Sequence, residues 1–178
     1  MRSRNRIIEE LLVLATQSGR AEAFARLAEL WHPRMMRYAL RLTSDREGAR
    51  EAVQDAWMAV ARGLMRLQDP ACFAPWALCI VRSRCADWIR RRQCLRRENT
   101  GLDAAAPLAA TAEPRGDNRY RLRRAVRGLD PEPQALVEMF YLESLTVAEI
   151  ARILEIPAGT VKSRLYHVRE RLRAILEV

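Results

Sequence analysis

The chain has 178 residues, with 31 basic and 22 acidic side chains, a net charge of +9 and an isoelectric point near 10.4. Hydrophobic residues make up 49%, enough for packed cores, which excludes a wholly disordered chain. The positive balance points to a polyanionic partner, nucleic acid or an anionic membrane surface, and 7 glycines with few β-branched runs predict an all-α fold.

The N-terminal stretch MRSRNRIIEELLVLATQSGRAEAF has no long uncharged core and no small-residue cleavage site, so no secretory signal is expected. The most apolar stretches, IIEELLVLA and FAPWALCIV, fall far short of the roughly 20 residues that a membrane span requires. A cytoplasmic protein without membrane insertion is the expectation. Cys72, Cys79, Cys85 and Cys94 form no CxxC pair, and His32 and His167 stand far from them in sequence. No zinc or other cofactor site is therefore expected, and the thiols read as small hydrophobes.

Residues 1–93 are dense in apolar side chains at helical spacing. In AREAVQDAWMAVARGL, residues 49–64, Ala52, Val53, Ala56, Trp57 and Val60 form an apolar face that leaves Glu51, Gln54 and Asp55 exposed. An acidic and amide patch in a basic lobe is a poor DNA surface. It is either a solvated face or a dock for a basic protein. In FAPWALCIVRSRCADWIRRR, residues 73–92, Phe73, Trp76, Ala77, Ile80, Val81 and Trp88 read as core, while Arg82, Arg84, Arg90, Arg91 and Arg92 crowd toward the C-terminal end. The helix dipole favours arginine there. Arginines beside exposed aromatics also suit single-stranded nucleic acid, whose bases stack while cations hold the backbone.

Residues 94–118, CLRRENTGLDAAAPLAATAEPRGDN, contain no aromatic residue and read as a flexible linker. Net charge is +7 before this segment, −1 within it and +3 after it. Two basic lobes on a near-neutral tether fit two contacts on one extended polyanion, or simply two small helical domains with a flexible joint.

The last part, residues 119–178, is helical again. Asp130-Pro131 predicts an N-cap followed by proline at the first helical position, with the helix running to about Glu143. Thr146 and Glu149 are spaced as a capping box, opening a short helix with Val147, Ile150, Ala151 and Leu154 on one face. The break EIPAG, with Pro157 and Gly159, leads into a long basic helix, so the pair is a helix-turn-helix. At about 100° per residue, Val161, Leu165, Val168, Leu172 and Ile175 make a core stripe in that helix, with Leu176 at its edge. Opposite lie Ser163, Tyr166, His167 and Glu170. Lys162, the chain's one lysine, fills one flank with Arg169 and Arg173; Arg164 and Arg171 fill the other. Hydrogen-bonding groups in the middle and cations on both sides suit the major groove, where central groups meet base edges and flanking cations meet phosphates. A merely solvated helix more often mixes lysine and glutamate at i,i+4.

With both lobes in view, the chain resembles the extracytoplasmic-function group of RNA polymerase sigma factors over about residues 20–93 and 119–176. VQDAW (53–57), FAPWALCIVRSRCADWIRRR, LTVAEIARILEIPAGTVKSRL and VRERLR carry the resemblance, in that order. It implies a sigma region 2 helical bundle over residues 1–93, a linker over 94–118 that threads toward the polymerase active-site channel, and a region 4 helix-turn-helix domain over 119–178. Region 2 would bind the clamp helices of the polymerase largest subunit through Glu51, Gln54 and Asp55. It would also recognise and melt the promoter −10 element through Phe73, Arg82, Ser83, Arg84, Arg90 and Arg91, holding a flipped non-template base. Flipping costs a few kcal/mol, which stacking and phosphate contacts offset. Region 4 would read the −35 element through Lys162, Ser163, Arg164, Tyr166, His167 and Arg169. The implied partners are core RNA polymerase, at its clamp helices and flap, promoter DNA and an anti-sigma factor.

The chain departs from the family pattern at Arg50-Glu51, usually Glu-Asp, at Ser83, often asparagine, and at His167, often arginine. No nucleophile–base pairing, phosphate loop or metal cluster argues for an enzyme. A freestanding helix-turn-helix regulator would leave the acidic face and the aromatic–arginine segment without a job. A sigma-fold interaction module without promoter opening is the other alternative. A basic membrane-surface protein fits less well, since neither helix pairs a broad aromatic face with a lysine-rich one.

Overall fold

A computed structural model describes residues 4–98 and 118–176, and its contacts divide the chain into two units, Met1–Asp103 and Ala104–Val178. Every element among the described residues is helical.

The first unit holds α1 (Arg4–Gln17), α2 (Ala21–Thr43), α3 (Arg46–Gly63) and α4 (Phe73–Glu98), with single 3-10 turns at Leu64–Arg66 and Pro70–Cys72 between the last two. On α2, Ala23, Leu27, Trp31, Met35 and Tyr38 recur every three or four residues and are buried, so one stripe faces the core. The inward face of α3 is built from small residues: Gly48, Ala49, Ala52, Val53, Ala56 and Val60. That lets α4 approach closely and seat two indoles. A Cβ added at Gly48 would come within 2.3 Å of Trp88 Cζ2, and one at Gly63 within 2.8 Å of Trp76 Cζ2. Phe73 opens α4 fully buried, edge-on to Trp31 with ring centroids 5.5 Å apart.

Helix α1 is fastened by polar side chains. Glu9, 2% exposed, accepts from the Trp31 indole N–H at 2.9 Å and lies 4.0 Å from Arg34. A buried carboxylate is costly unless paired and hydrogen-bonded, so these partners hold α1 on α2. At its other end the Gln17 amide donates to the carbonyls of Leu64 at 2.9 Å and Leu67 at 2.8 Å, closing the exit of α3.

Of the rings in the FAPW…DW segment, Phe73 is core as read, while Trp76 and Trp88 are half-buried, seated against the α3 glycines rather than offered as an open stacking platform. Helix α4 runs through Glu98, past the residue 94 start expected for the linker. The rest of that segment, residues 99–117, lies outside the described residues.

The second unit holds α5 (Asn118–Arg127), α6 (Pro131–Val137), which continues into one π-helical turn (Glu138–Leu142), α7 (Val147–Leu154) and α8 (Ala158–Leu176). Leu129, Val137 and Val168 form a core cluster, with Val126 and Leu172 packed against it. Ile150, Ile153 and Val161 are fully buried beneath the α7–α8 corner. The capping box forms as its spacing predicts: Glu149 N–H donates to Thr146 Oγ1 at 3.2 Å, and Thr146 N–H donates to Glu149 Oε2 at 2.6 Å.

Other details depart from the sequence reading. Asp130 stands at the N-cap of α6 but makes no capping bond; its carboxylate accepts from Arg171 on α8 at 3.2 Å. On α8 the stripe is buried at Val161, Leu165 and Val168 and half-buried at Leu172, but Ile175 is 45% exposed. Ile153 is core where the wheel favoured Val147, Ala151 and Leu154, which are half-buried. No helix among the described residues is long and apolar enough to cross a membrane.

Candidate nucleic-acid interface

The turn between α7 and α8 is made by backbone geometry. Glu155 takes a left-handed conformation (φ 55°) that ends α7, and Ile156 N–H reaches the Ala151 carbonyl at 3.1 Å. The Pro157 carbonyl then accepts from Thr160 at 2.9 Å and Val161 at 3.2 Å, opening α8. With Val161, Leu165 and Val168 turned inward, Lys162, Ser163, Tyr166, His167, Arg169 and Glu170 are exposed on the outer side.

Within this face the residues divide into two kinds. Ser163, Tyr166 and His167 form its centre, with Lys162 on the flank beside Arg169; Tyr166 is 59% exposed and its ring lies edge-on to His167 at 5.6 Å. The Ser163 hydroxyl donates to the Thr160 carbonyl at 3.0 Å. The arginines instead have partners on α6 and its π turn. Arg164 pairs with Glu132, and Arg171 with Asp130. Arg169 Nε donates to the Tyr141 hydroxyl at 2.7 Å, with its guanidinium 5.7 Å from the Phe140 ring centroid and 5.8 Å from that of Tyr141. The π turn makes this possible: Glu143 N–H reaches back five residues to the Glu138 carbonyl at 3.0 Å, and Tyr141 is left half in solvent. These holders of the α8 arginines lie 28 to 41 residues away in sequence, so no local pattern announces them.

On α4, about 100° per residue puts Ser83, Asp87 and Arg90 on one outer face. Ser83 and Arg90 are exposed and Arg82 is half-buried. Asp87 sits between arginines, 3.5 Å from Arg84 and paired with Arg90. Arg91 turns toward α3 and lies 3.5 Å from Glu51 and 3.8 Å from Asp55. One assignment is corrected: Phe73, read as a −10 contact, is a core ring with no exposed surface. Arg91, read with the same DNA set, lies over the acidic face in the free chain. Exposed pairs of this kind contribute about 0.2–1 kcal/mol, so phosphate can replace the carboxylates at little cost.

Arg92 belongs to the fold. It pairs with Asp45 and covers the Trp88 ring at 4.9 Å. The Gly48 N–H, then Arg92, hold the Asp45 carboxyl below its ordinary value. Burial pushes the Cys85 thiol up to about 12, so it is unreactive at neutral pH. On α3, Glu51 and Gln54 are exposed and Asp55 half-buried, with Met58, 50% exposed, one turn beyond Gln54. The structure thus brings Glu51, Gln54 and Asp55 onto one outer face, as the spacing predicts.

The sequence matches the Sigma-70 region 2 family over residues 27–94 and the Sigma-70 region 4 family over residues 119–172. It is 30% identical over 166 residues to the ECF RNA polymerase sigma factor SigM of Mycobacterium tuberculosis, spanning 93% of this chain and 83% of that one. It is 32% identical over 167 residues to the ECF RNA polymerase sigma factor RpoE of Cereibacter sphaeroides, spanning 91% of each. The chain belongs to the ECF RNA polymerase sigma factor family.

Solved relatives share the fold. The sigma factor RpoE of Bartonella quintana, crystallised with the anti-sigma factor NepR, superposes with a TM-score of 0.67 at 20% identity, over 89% of this chain and 99% of that one. CnrH, in complex with the cytosolic domain of CnrY, gives 0.58 at 20% identity, over 96% and 97%. As an alternative sigma factor, the chain directs promoter-specific transcription; the region 2 match contains the α3 and α4 faces, and the region 4 match contains the helix-turn-helix.

Proposed function

We propose that this sigma factor docks on core RNA polymerase through Glu51, Gln54 and Asp55 and grips promoter DNA at two places. Lys162, Ser163, Tyr166 and His167 read the −35 element in the major groove, while Arg164 and Arg169 exchange their protein partners for phosphate. Arg82, Ser83, Arg84 and Arg90 meet the −10 element on α4. Region 2 in this reading ends within α4 and region 4 begins with α5, with the intervening segment as the linker. The protein acts in the cytoplasm, without catalysis of its own, and an anti-sigma factor holds it inactive.

One observation supports the base-reading assignment above all. The outer side of α8 has a chemically mixed centre, Ser163–Tyr166–His167, flanked on one side by Lys162 and Arg169, which Tyr141 holds from the π turn, and on the other by Arg164 and Arg171, which pair with Glu132 and Asp130. That is a reading face with its flanks already oriented. A bidentate or apolar base contact carries about 1–3 kcal/mol of discrimination. Lys162→Ala or Tyr166→Ala is therefore expected to lower −35-dependent transcription at least about 5-fold while leaving core polymerase binding intact. Charge reversal at Glu51 and Asp55 is expected to do the opposite, abolishing co-purification with core polymerase. Unchanged promoter use by both α8 variants would remove the base-reading assignment. Undiminished co-purification would remove the docking one.

A further inference from the structure

The three consecutive arginines of α4 have three different destinations. Arg90 turns to Asp87, and Arg92 turns inward to Asp45 and Trp88. Arg91 alone of the three reaches the outer face of α3, with Nη1 3.5 Å from Glu51 Oε1 and Nη2 3.8 Å from Asp55 Oδ2. Its side chain is 56% exposed, and those of Glu51 and Asp55 are 53% and 35% exposed. The distances exceed the roughly 2.7–2.9 Å of a tight charge-assisted hydrogen bond, so the guanidinium lies over the two carboxylates without being locked to them.

This placement creates a competition. Glu51 and Asp55 are the acids proposed to receive a basic polymerase surface, and in the free chain a cation already covers them. A polymerase cation that takes the two carboxylates displaces Arg91. A phosphate that takes Arg91 leaves both carboxylates open. We propose that Arg91 is a shared cation linking the two activities: in the free protein it covers the docking face, and polymerase binding releases it toward promoter phosphate. The inference rests on the proposed docking role of Glu51 and Asp55. Linkage is reciprocal, so DNA that holds Arg91 strengthens polymerase docking by the same factor. Exposed ion pairs are weak, which sets the size of the coupling at about 2- to 5-fold.

The test uses the full chain, labelled at its N-terminus, titrated with core RNA polymerase. A second titration binds each resulting holoenzyme to a genomic promoter fragment recovered with the wild-type holoenzyme. Arg91→Gln is expected to tighten polymerase binding about 2- to 5-fold and to weaken promoter binding by a similar factor. Opposite signs on the two readouts are the signature, since loss of a merely structural pair would weaken both. In a Glu51→Gln, Asp55→Asn background, Arg91→Gln should no longer change polymerase affinity, and Arg91→Lys should restore wild-type behaviour in the native background. Wild-type docking with no gain for Arg91→Gln would overturn this inference alone. A wild-type chain that does not bind core polymerase would overturn the docking reading and this inference with it.

Discussion

Asp45 shows how much one side chain can carry at the corner between α2 and α3. Its carboxylate accepts from Gly48 N–H at 2.8 Å and pairs with Arg92, whose guanidinium covers Trp88, whose ring in turn rests on Gly48. Both the backbone donor and the arginine favour the charged form, so the folded carboxyl stays ionised to lower pH than the unfolded one. The stabilisation is complete above the unfolded value, near pH 4, and disappears as pH falls through the lower folded value. Asparagine caps a helix about as well as aspartate, so Asp45→Asn isolates the charge. Thermal melts should show the variant less stable than wild type at pH 7, with the gap closing progressively below about pH 4. A gap independent of pH would mean that the Arg92 pair contributes nothing.

At the scale of elements, the α3–α4 seam is packed closely at two glycines. Small residues on one helix and indoles on the other leave no room at Gly48, where a methyl group would collide with the Trp88 ring rather than with a flexible chain end. Gly48→Ala gains helix propensity but is overpacked, and the collision dominates: a loss of about 1–3 kcal/mol is expected in urea unfolding. A variant as stable as wild type would show that α4 can shift outward freely.

What could be read beforehand follows from the range of the interactions. The Thr146–Glu149 box spans three residues, and the buried stripe of α8 follows from helical period, so both were legible. Ile175 was not, because burial at the end of α8 depends on which neighbours reach it, and Ile175 is left 45% exposed. The break at EIPAG was legible as well; within it the left-handed position is Glu155, and Gly159 lies within the first turn of α8.

Across the whole molecule, charge is arranged more specifically than a net of +9 suggests. Arg164 and Arg171 on α8, and Arg90 and Arg91 on α4, have carboxylate partners contributed by the same unit. The order of motifs along the chain was enough to indicate the family. The pairings were invisible to it, because Arg164 and Glu132 meet across 32 residues and Arg91 meets Glu51 across two helices. These exposed pairs orient arginines without holding them strongly, which suits cations that change partners on binding.

Run-off transcription over a genomic promoter library, using core RNA polymerase with this chain as the added subunit, tests the central claim most directly. The account predicts discrete start sites that depend on the chain, preceded by a shared upstream element whose use falls with Lys162→Ala and Tyr166→Ala. Start sites absent with the wild-type chain, or unchanged by both substitutions, would contradict it.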